Sequence, residues 1–192
     1  MLLVGDNIGK KFGKNWIFRN QNFELDQGNV VAITGKNGSG KSTLLQIMAG
    51  YLTPSEGKVL SNDTLLEEAQ PSISFIGPYT EVIEEFTLRE LLSFHQKFKN
   101  PIVEMKEMAE SASLPLDKLI AEFSTGMKQR TKLITAFYFE NDILFMDEPT
   151  ANLDQEGFDW WSNELKKLSN KLILVASNDS NEINMCQKSI NL

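Results

Sequence analysis

Val30-Val31-Ala32-Ile33-Thr34-Gly35-Lys36-Asn37-Gly38-Ser39-Gly40-Lys41-Ser42-Thr43 decides the fold. Val30 to Ile33 is an uninterrupted apolar run of strand length, as expected where both faces of a parallel sheet are covered. Gly35 to Ser42 then matches the phosphate-binding loop pattern, strand before and helix after. Its glycines let the backbone curl so that several N–H groups face one anion. The helix start adds its partial positive charge. Lys41 is expected to reach the β- and γ-phosphates, and the Ser42 hydroxyl to ligate Mg²⁺. Gly35, Lys36, Asn37, Gly38, Ser39, Gly40 and Thr43 complete the expected nucleotide cradle. The alternative is a chance Gly-rich turn, against which the flanks speak.

Working outward, Lys41 to Tyr51 reads as a helix with Leu44, Leu45, Met48 and Leu52 near one stripe, ended by Gly50 and Pro54. Upstream, residues 2–25 alternate polar and apolar, with turn signals at Lys10–Gly13 and Asp26–Gly28. They predict a small strand-rich arm. Downstream, Gly57 to Leu60 and Ser72 to Ile76 predict further strands. From Thr87 the period changes: Thr87-Leu88-Arg89-Glu90 fits a capping box, and Leu88, Leu91, Leu92 and His95 share a helical face. His95, the only histidine, is expected to be packed and satisfied. A second helix is expected over Val103 to Ser111, broken by Pro115. Residues from about Pro78 to Glu122 thus form a small helical insert. Ser124 opens a long helix through about Phe139. Ile143 to Met146 and Leu172 to Ala176 are buried strands, with an amphipathic helix over Phe158 to Leu168 between them.

Ile143-Leu144-Phe145-Met146-Asp147-Glu148 places two carboxylates at the end of an apolar strand. Asp147 can hold Mg²⁺, commonly through water. Glu148 can point at the γ-phosphate and polarise the attacking water. An acidic surface pair is the alternative, and the phosphate loop upstream weighs against it.

The chain has 192 residues and a net charge of −7. That length fits one well-buried α/β domain. Lys and Arg are scattered rather than clustered, so nucleic acid is not the expected partner. No apolar run approaches the roughly 20 residues that span a bilayer. The first residues resemble neither a signal nor a transit peptide, because Gly5 and Asp6 break the apolar run. One cysteine, Cys186, cannot pair within the chain and is expected to be simply buried. These features predict a cytoplasmic protein.

The order of GKNGSGKST from Gly35, FSTGMKQR from Phe123, ILFMDEPT from Ile143 and ANLD from Ala151 resembles the nucleotide-binding subunit of ABC transporters, over essentially the whole chain. The resemblance implies an α/β fold: a P-loop NTPase (RecA-like), with a mostly parallel sheet core, an N-terminal antiparallel β arm and a small helical subdomain. It implies one domain over 1–192, divided as 1–77 (β arm and phosphate-loop core), 78–122 (helical insert) and 123–192 (signature helix and remaining core). Ser124-Thr125-Gly126-Met127 is similar to the family signature. There Ser124 and the Gly126 backbone would bind the γ-phosphate of ATP held by an opposite subunit. Asp154 would belong to the loop coupling the two sites, and Phe12 would stack on adenine unless it is a core residue. The resemblance implies ATP and Mg²⁺ as cofactors. The implied partners are a second ATP-binding subunit (homo- or heterodimer) and a membrane permease docked around Pro78 to Phe98, with the chain peripheral on the cytosolic face.

Three departures stand out. Pro78 takes the place of a Gln that ligates Mg²⁺. Asn178 takes the place of a His near the γ-phosphate. Thr125 and Met127 replace the commoner Gly and Gln of the signature. Asn carries no charge and stabilises transition-state charge less, so slow hydrolysis is expected. The Ser-Thr-Gly-Met signature is similar to that of exporter-type ATPases. Two rival readings stand beside this one: a module of a different class, soluble and ATP-switched without a permease, such as an iron–sulfur assembly type, or a weakly hydrolysing subunit paired with an active sister.

Overall fold

The computed structural model describes residues 2–168 and 170–192. These fall into two compact units, 2–75 with 142–148 and 170–192, and 76–141 with 149–168.

The first unit holds both sheets, save Ile76 at one strand end. β1 (Leu2–Phe12) and β2 (Asn15–Asp26) form a long antiparallel hairpin. Its turn lies at Gly13–Lys14, a little beyond the expected Lys10–Gly13, and Gly13 takes φ 60° there. With β4 (Glu56–Ser61) and β5 (Thr64–Leu65) they make a sheet of order β2-β1-β4-β5. The second sheet contains β3 (Val30–Thr34), β6 (Ile73–Ile76), β7 (Ile143–Asp147), β8 (Leu172–Ala176) and β9 (Lys188–Asn191), in the order β6-β7-β8-β3-β9. β3 pairs in parallel with β8 and β9, and β7 in parallel with β8. Every residue of β7 and β8 is buried, which explains why their sequences do not alternate.

α1 (Lys41–Met48) is shorter than the expected Lys41–Tyr51, because Ala49 caps it and Gly50 turns to φ 77°. Its Leu44, Leu45, Ile47 and Met48 enter one cluster with Val31 and Ile33 of β3, Phe145 of β7 and Leu174 of β8. Leu3, Ile8, Phe18, Phe23 and Leu25 of the arm join the same cluster. The arm is therefore bonded by burial to the strand that carries the phosphate loop. α2 (Leu66–Ala69), α7 (Ser180–Asn184) and β9 were not anticipated. Each is short and mostly polar, and β9 is an exposed edge strand. Cys186 is half-buried, and its thiol is pushed up to about 12, chiefly by burial and secondarily by Glu182.

The second unit is helical: α3 (Leu88–His95), α4 (Met105–Ser111), a 3-10 turn at Ile120–Glu122, α5 (Thr125–Phe137) and α6 (Gln155–Lys167). The Thr87 box forms as expected, with Thr87 accepting from the Glu90 N–H and Glu90 from the Thr87 N–H. α5 begins after its N-cap Ser124 and stops two residues short of Phe139. α4 starts two residues after the expected Val103. α6 starts three residues before the expected Phe158, because Asp154 caps it by accepting from the Gly157 N–H at 2.8 Å. His95 packs edge-on against Phe139 with centroids 4.4 Å apart. Its Nε2 is buried without a hydrogen-bond partner, so it is packed but not satisfied. Among the described residues no helix is long and apolar enough to cross a membrane.

Candidate functional site

The site is built at the C-terminal ends of β3, β7 and β8. β3 delivers the chain into the loop at Gly35, which has φ 149°. A Cβ there would lie 2.6 Å from Ser39 Oγ and 2.8 Å from the Leu192 carbonyl. Gly40, at φ 102°, is the N-cap of α1, and a Cβ on it would stand 2.5 Å from Ile17 Cγ2. Both positions exclude any side chain. The α1 start has no side-chain cap and no acidic residue in its first turn. Its N–H groups are therefore free to bind an anion, with the dipole behind them.

Lys41 is buried, and its Nζ donates to the Gly35 and Lys36 carbonyls at 3.1 and 3.3 Å. The loop curls around this ammonium, and the Ser39 N–H closes it onto the Lys36 carbonyl at 3.0 Å. Ser39 Oγ is buried with no hydrogen-bond partner. A buried hydroxyl left unpaired inside a cradle of N–H groups is what a phosphate oxygen would satisfy.

Asp147 ends β7, is 5% exposed, and accepts a hydrogen bond from Ser42. Burial raises its carboxyl above the usual range. The Ser42 bond opposes that rise, Glu148 adds to it and Lys41 opposes it. The sequence readings of Ser42 and Asp147 thus converge on one oxygen pair. A hydroxyl and a carboxylate are hard donors suited to Mg²⁺, so the residues present fit that ion. Glu148, the next residue, is exposed and takes φ 50°. A non-glycine in this region costs about 1–3 kcal/mol and persists only where its surroundings hold it. Its N–H donates to the Ala176 carbonyl of β8 at 2.9 Å.

The loop after β8 lies against the phosphate loop: the Asn178 side-chain amide donates to Asn37 Oδ1. That contact was not foreseen, since two exposed asparagines so far apart in sequence carry no pattern. Thr43 is half-buried in the first turn of α1. Phe12 is 54% exposed at the end of β1, with Lys10 Nζ 5.1 Å from its ring centroid. It is not a core residue, and its ring can stack on a planar base.

In the helical unit, Ser124 is exposed and its hydroxyl accepts from the Met127 N–H at 3.2 Å. Its own O–H remains available to donate. A Cβ on Gly126 would meet the Asn152 carbonyl at 3.0 Å, so the helix start packs on the Ala151–Asp154 loop. Pro78 is exposed in a turn closed by the Thr80 N–H and Oγ1, which both donate to the Gly77 carbonyl at 3.1 and 2.8 Å. The turn tip offers Tyr79, 88% exposed, and no side-chain metal ligand at Pro78.

The family model for ABC transporters matches residues 18–151. This chain belongs to the ABC transporter ATP-binding family. Its members are ATPases. The chain is 31% identical over 186 residues to the ribose import ATP-binding protein RbsA of Oceanobacillus iheyensis, spanning 88% of this chain but only 38% of that one. It is 32% identical over 163 residues to the cytochrome c biogenesis ATP-binding export protein CcmA of Brucella abortus, covering 81% of this chain and 74% of that one. Among solved structures, a putative ABC transporter ATP-binding protein from Pyrococcus furiosus superposes with a TM-score of 0.88 over 100% of this chain and 98% of its own. Identity there is 21%, so that likeness speaks for the fold: a P-loop α/β cassette.

Proposed function

We propose that this ABC ATPase chain powers transport through a separate membrane permease, working as one cassette over its whole length in a head-to-tail dimer that closes on two ATP molecules. The observation that carries this reading is the Ser42–Asp147 oxygen pair beside the buried Lys41, with Glu148 next in the chain. In this reading the Gly35–Thr43 loop binds the phosphates of one ATP, Phe12 stacks on its adenine, and Ser42 and Asp147 hold Mg²⁺. Bound there, Mg²⁺ would supply charge neutralisation to the phosphates. Glu148 orients and polarises the attacking water, Lys41 stabilises charge on the phosphates, and Asn178 hydrogen-bonds at the γ-phosphate. Ser124, the Gly126 backbone and Asp154 serve the ATP of the opposite subunit. Catalysis is positioning and charge stabilisation, with no covalent step for the protein.

Turnover is slow in this account. Pro78 cannot ligate the metal, and Asn178 brings no positive charge to the transition state. The double variant Pro78→Gln, Asn178→His is expected to raise the ATP hydrolysis rate by about tenfold. No increase, with folding intact, would remove these positions from the rate-limiting machinery. Copurification from the native cell tests the transport assignment: a multi-span membrane protein should come down with this chain in detergent. If none does, the soluble-module reading takes over. The signature is similar to that of exporter-type ATPases, and we assign export. Cargo accumulating inside inverted vesicles with ATP outside supports it, and cargo leaving them contradicts it.

A further inference from the structure

The backbone of Glu148 is unusual twice over. Its φ of 50° is left-handed, and it precedes Pro149, whose ring restricts the residue before it to extended conformations. Such a conformation survives only if the chain is gripped on both sides of it. On the N-terminal side, the Glu148 N–H is held by the Ala176 carbonyl at 2.9 Å. On the C-terminal side, the Pro149 carbonyl accepts from Gln129 Nε2 at 2.7 Å. Gln129 is 8% exposed and lies on α5 with the buried Leu133 and Ala136 at helical spacing. A buried amide on an otherwise apolar face is retained against the desolvation it suffers, and this one spends its donor on the Pro149–Thr150 peptide, one peptide beyond the Glu148–Pro149 bond.

We propose that Gln129 is a positioning residue for the Glu148 carboxylate, fixing the Pro149 peptide and, through the Glu148–Pro149 bond, the direction in which the acid points. Gln129 lies on the helix that Ser124 caps and Gly126 opens. Whatever engages that helix start thereby bears on the backbone beside the acid. This rests on Glu148 being the water-orienting carboxylate of the preceding section.

Single-turnover and steady-state ATP hydrolysis are measured for wild type, Gln129→Met, Glu148→Gln and the double variant, with a fluorescent ATP analogue reporting nucleotide affinity. Methionine keeps the volume and removes the donor. Gln129→Met is expected to lower kcat about ten- to a hundredfold, with nucleotide affinity within about twofold of wild type. In the Glu148→Gln background it should lower the rate no further. An unchanged kcat, or effects that multiply in the double variant, overturns the proposal. If Glu148→Gln alone leaves kcat intact, the assignment of Glu148 itself fails, and this inference with it. Should Gln129→Met not fold, Gln129→Glu provides the second test. Its protonated carboxyl can donate to the Pro149 carbonyl and its ionised form cannot. Its rate should therefore drop relative to wild type as pH rises, and recover on acidification. A flat ratio across pH, or loss of the fold in both variants, assigns Gln129 to stability alone and overturns the proposal.

Discussion

Asp147 shows how far one side chain's surroundings decide its chemistry. Burial raises its carboxyl pKa, and the Ser42 bond and Lys41 only partly offset the rise. Mg²⁺ needs the ionised form. Metal-dependent ATP binding should therefore weaken as pH falls, and begin to do so at a higher pH than an ordinary aspartate with pKa about 3.9 would. The linkage runs the same way. A carboxyl whose folded pKa is raised destabilises the metal-free fold when ionised, and that penalty disappears as pH falls through the folded value. Titrating Mg²⁺ against ATP binding at stepped pH checks this. Asp147→Asn should bind metal weakly at every pH, and a wild-type profile flat down to the ordinary range contradicts the burial argument. Gly35, Lys41, Ser42 and Asp147 could be singled out in the sequence because the motifs that contain them have fixed spacing. Gln129 and the Asn37–Asn178 contact could not. Both are tertiary pairings between residues with no shared period, though a lone glutamine on the apolar face of α5 was a usable hint.

Among the elements, α3 owes its start to Thr87 and its burial to Leu88, Leu91 and Leu92. Thr87→Ala removes the acceptor for the Glu90 N–H and should cost about 1 kcal/mol, read as a lower urea midpoint with unchanged slope. An unchanged midpoint would mean the cap is redundant. At the other end of α3, His95 has its pKa lowered, first by burial and then by Lys99. The unfolded chain then binds the proton more readily than the folded one. This histidine consequently subtracts stability as pH falls below its unfolded value of about 6.5. His95→Phe keeps the packing on Phe139 and should flatten the stability–pH curve below that value. A slope identical to wild type contradicts the assignment. The strands β3, β7 and β8 were readable as apolar runs because both faces are covered. β9 was not, since an edge strand of Lys188-Ser189-Ile190-Asn191 has one partner and little to bury. The start of α6 was missed because Asp154 was read for its place in the ANLD loop and not as an N-cap.

For the whole molecule, the phosphate loop and the Ser42–Asp147–Glu148 group lie in one compact unit, while Ser124 and Gly126 open a helix in the other. Half of the proposed nucleotide grip is thus a loop and half is an exposed helix start. In the proposed function a second copy, or a sister chain, would complete each half-site. The decisive measurement is size-exclusion chromatography of Glu148→Gln with ATP and Mg²⁺, against the same variant without nucleotide. The account predicts a shift from monomer to dimer with ATP, abolished by adding Ser124→Arg. Elution as a monomer at saturating ATP, with the nucleotide demonstrably bound, would contradict it.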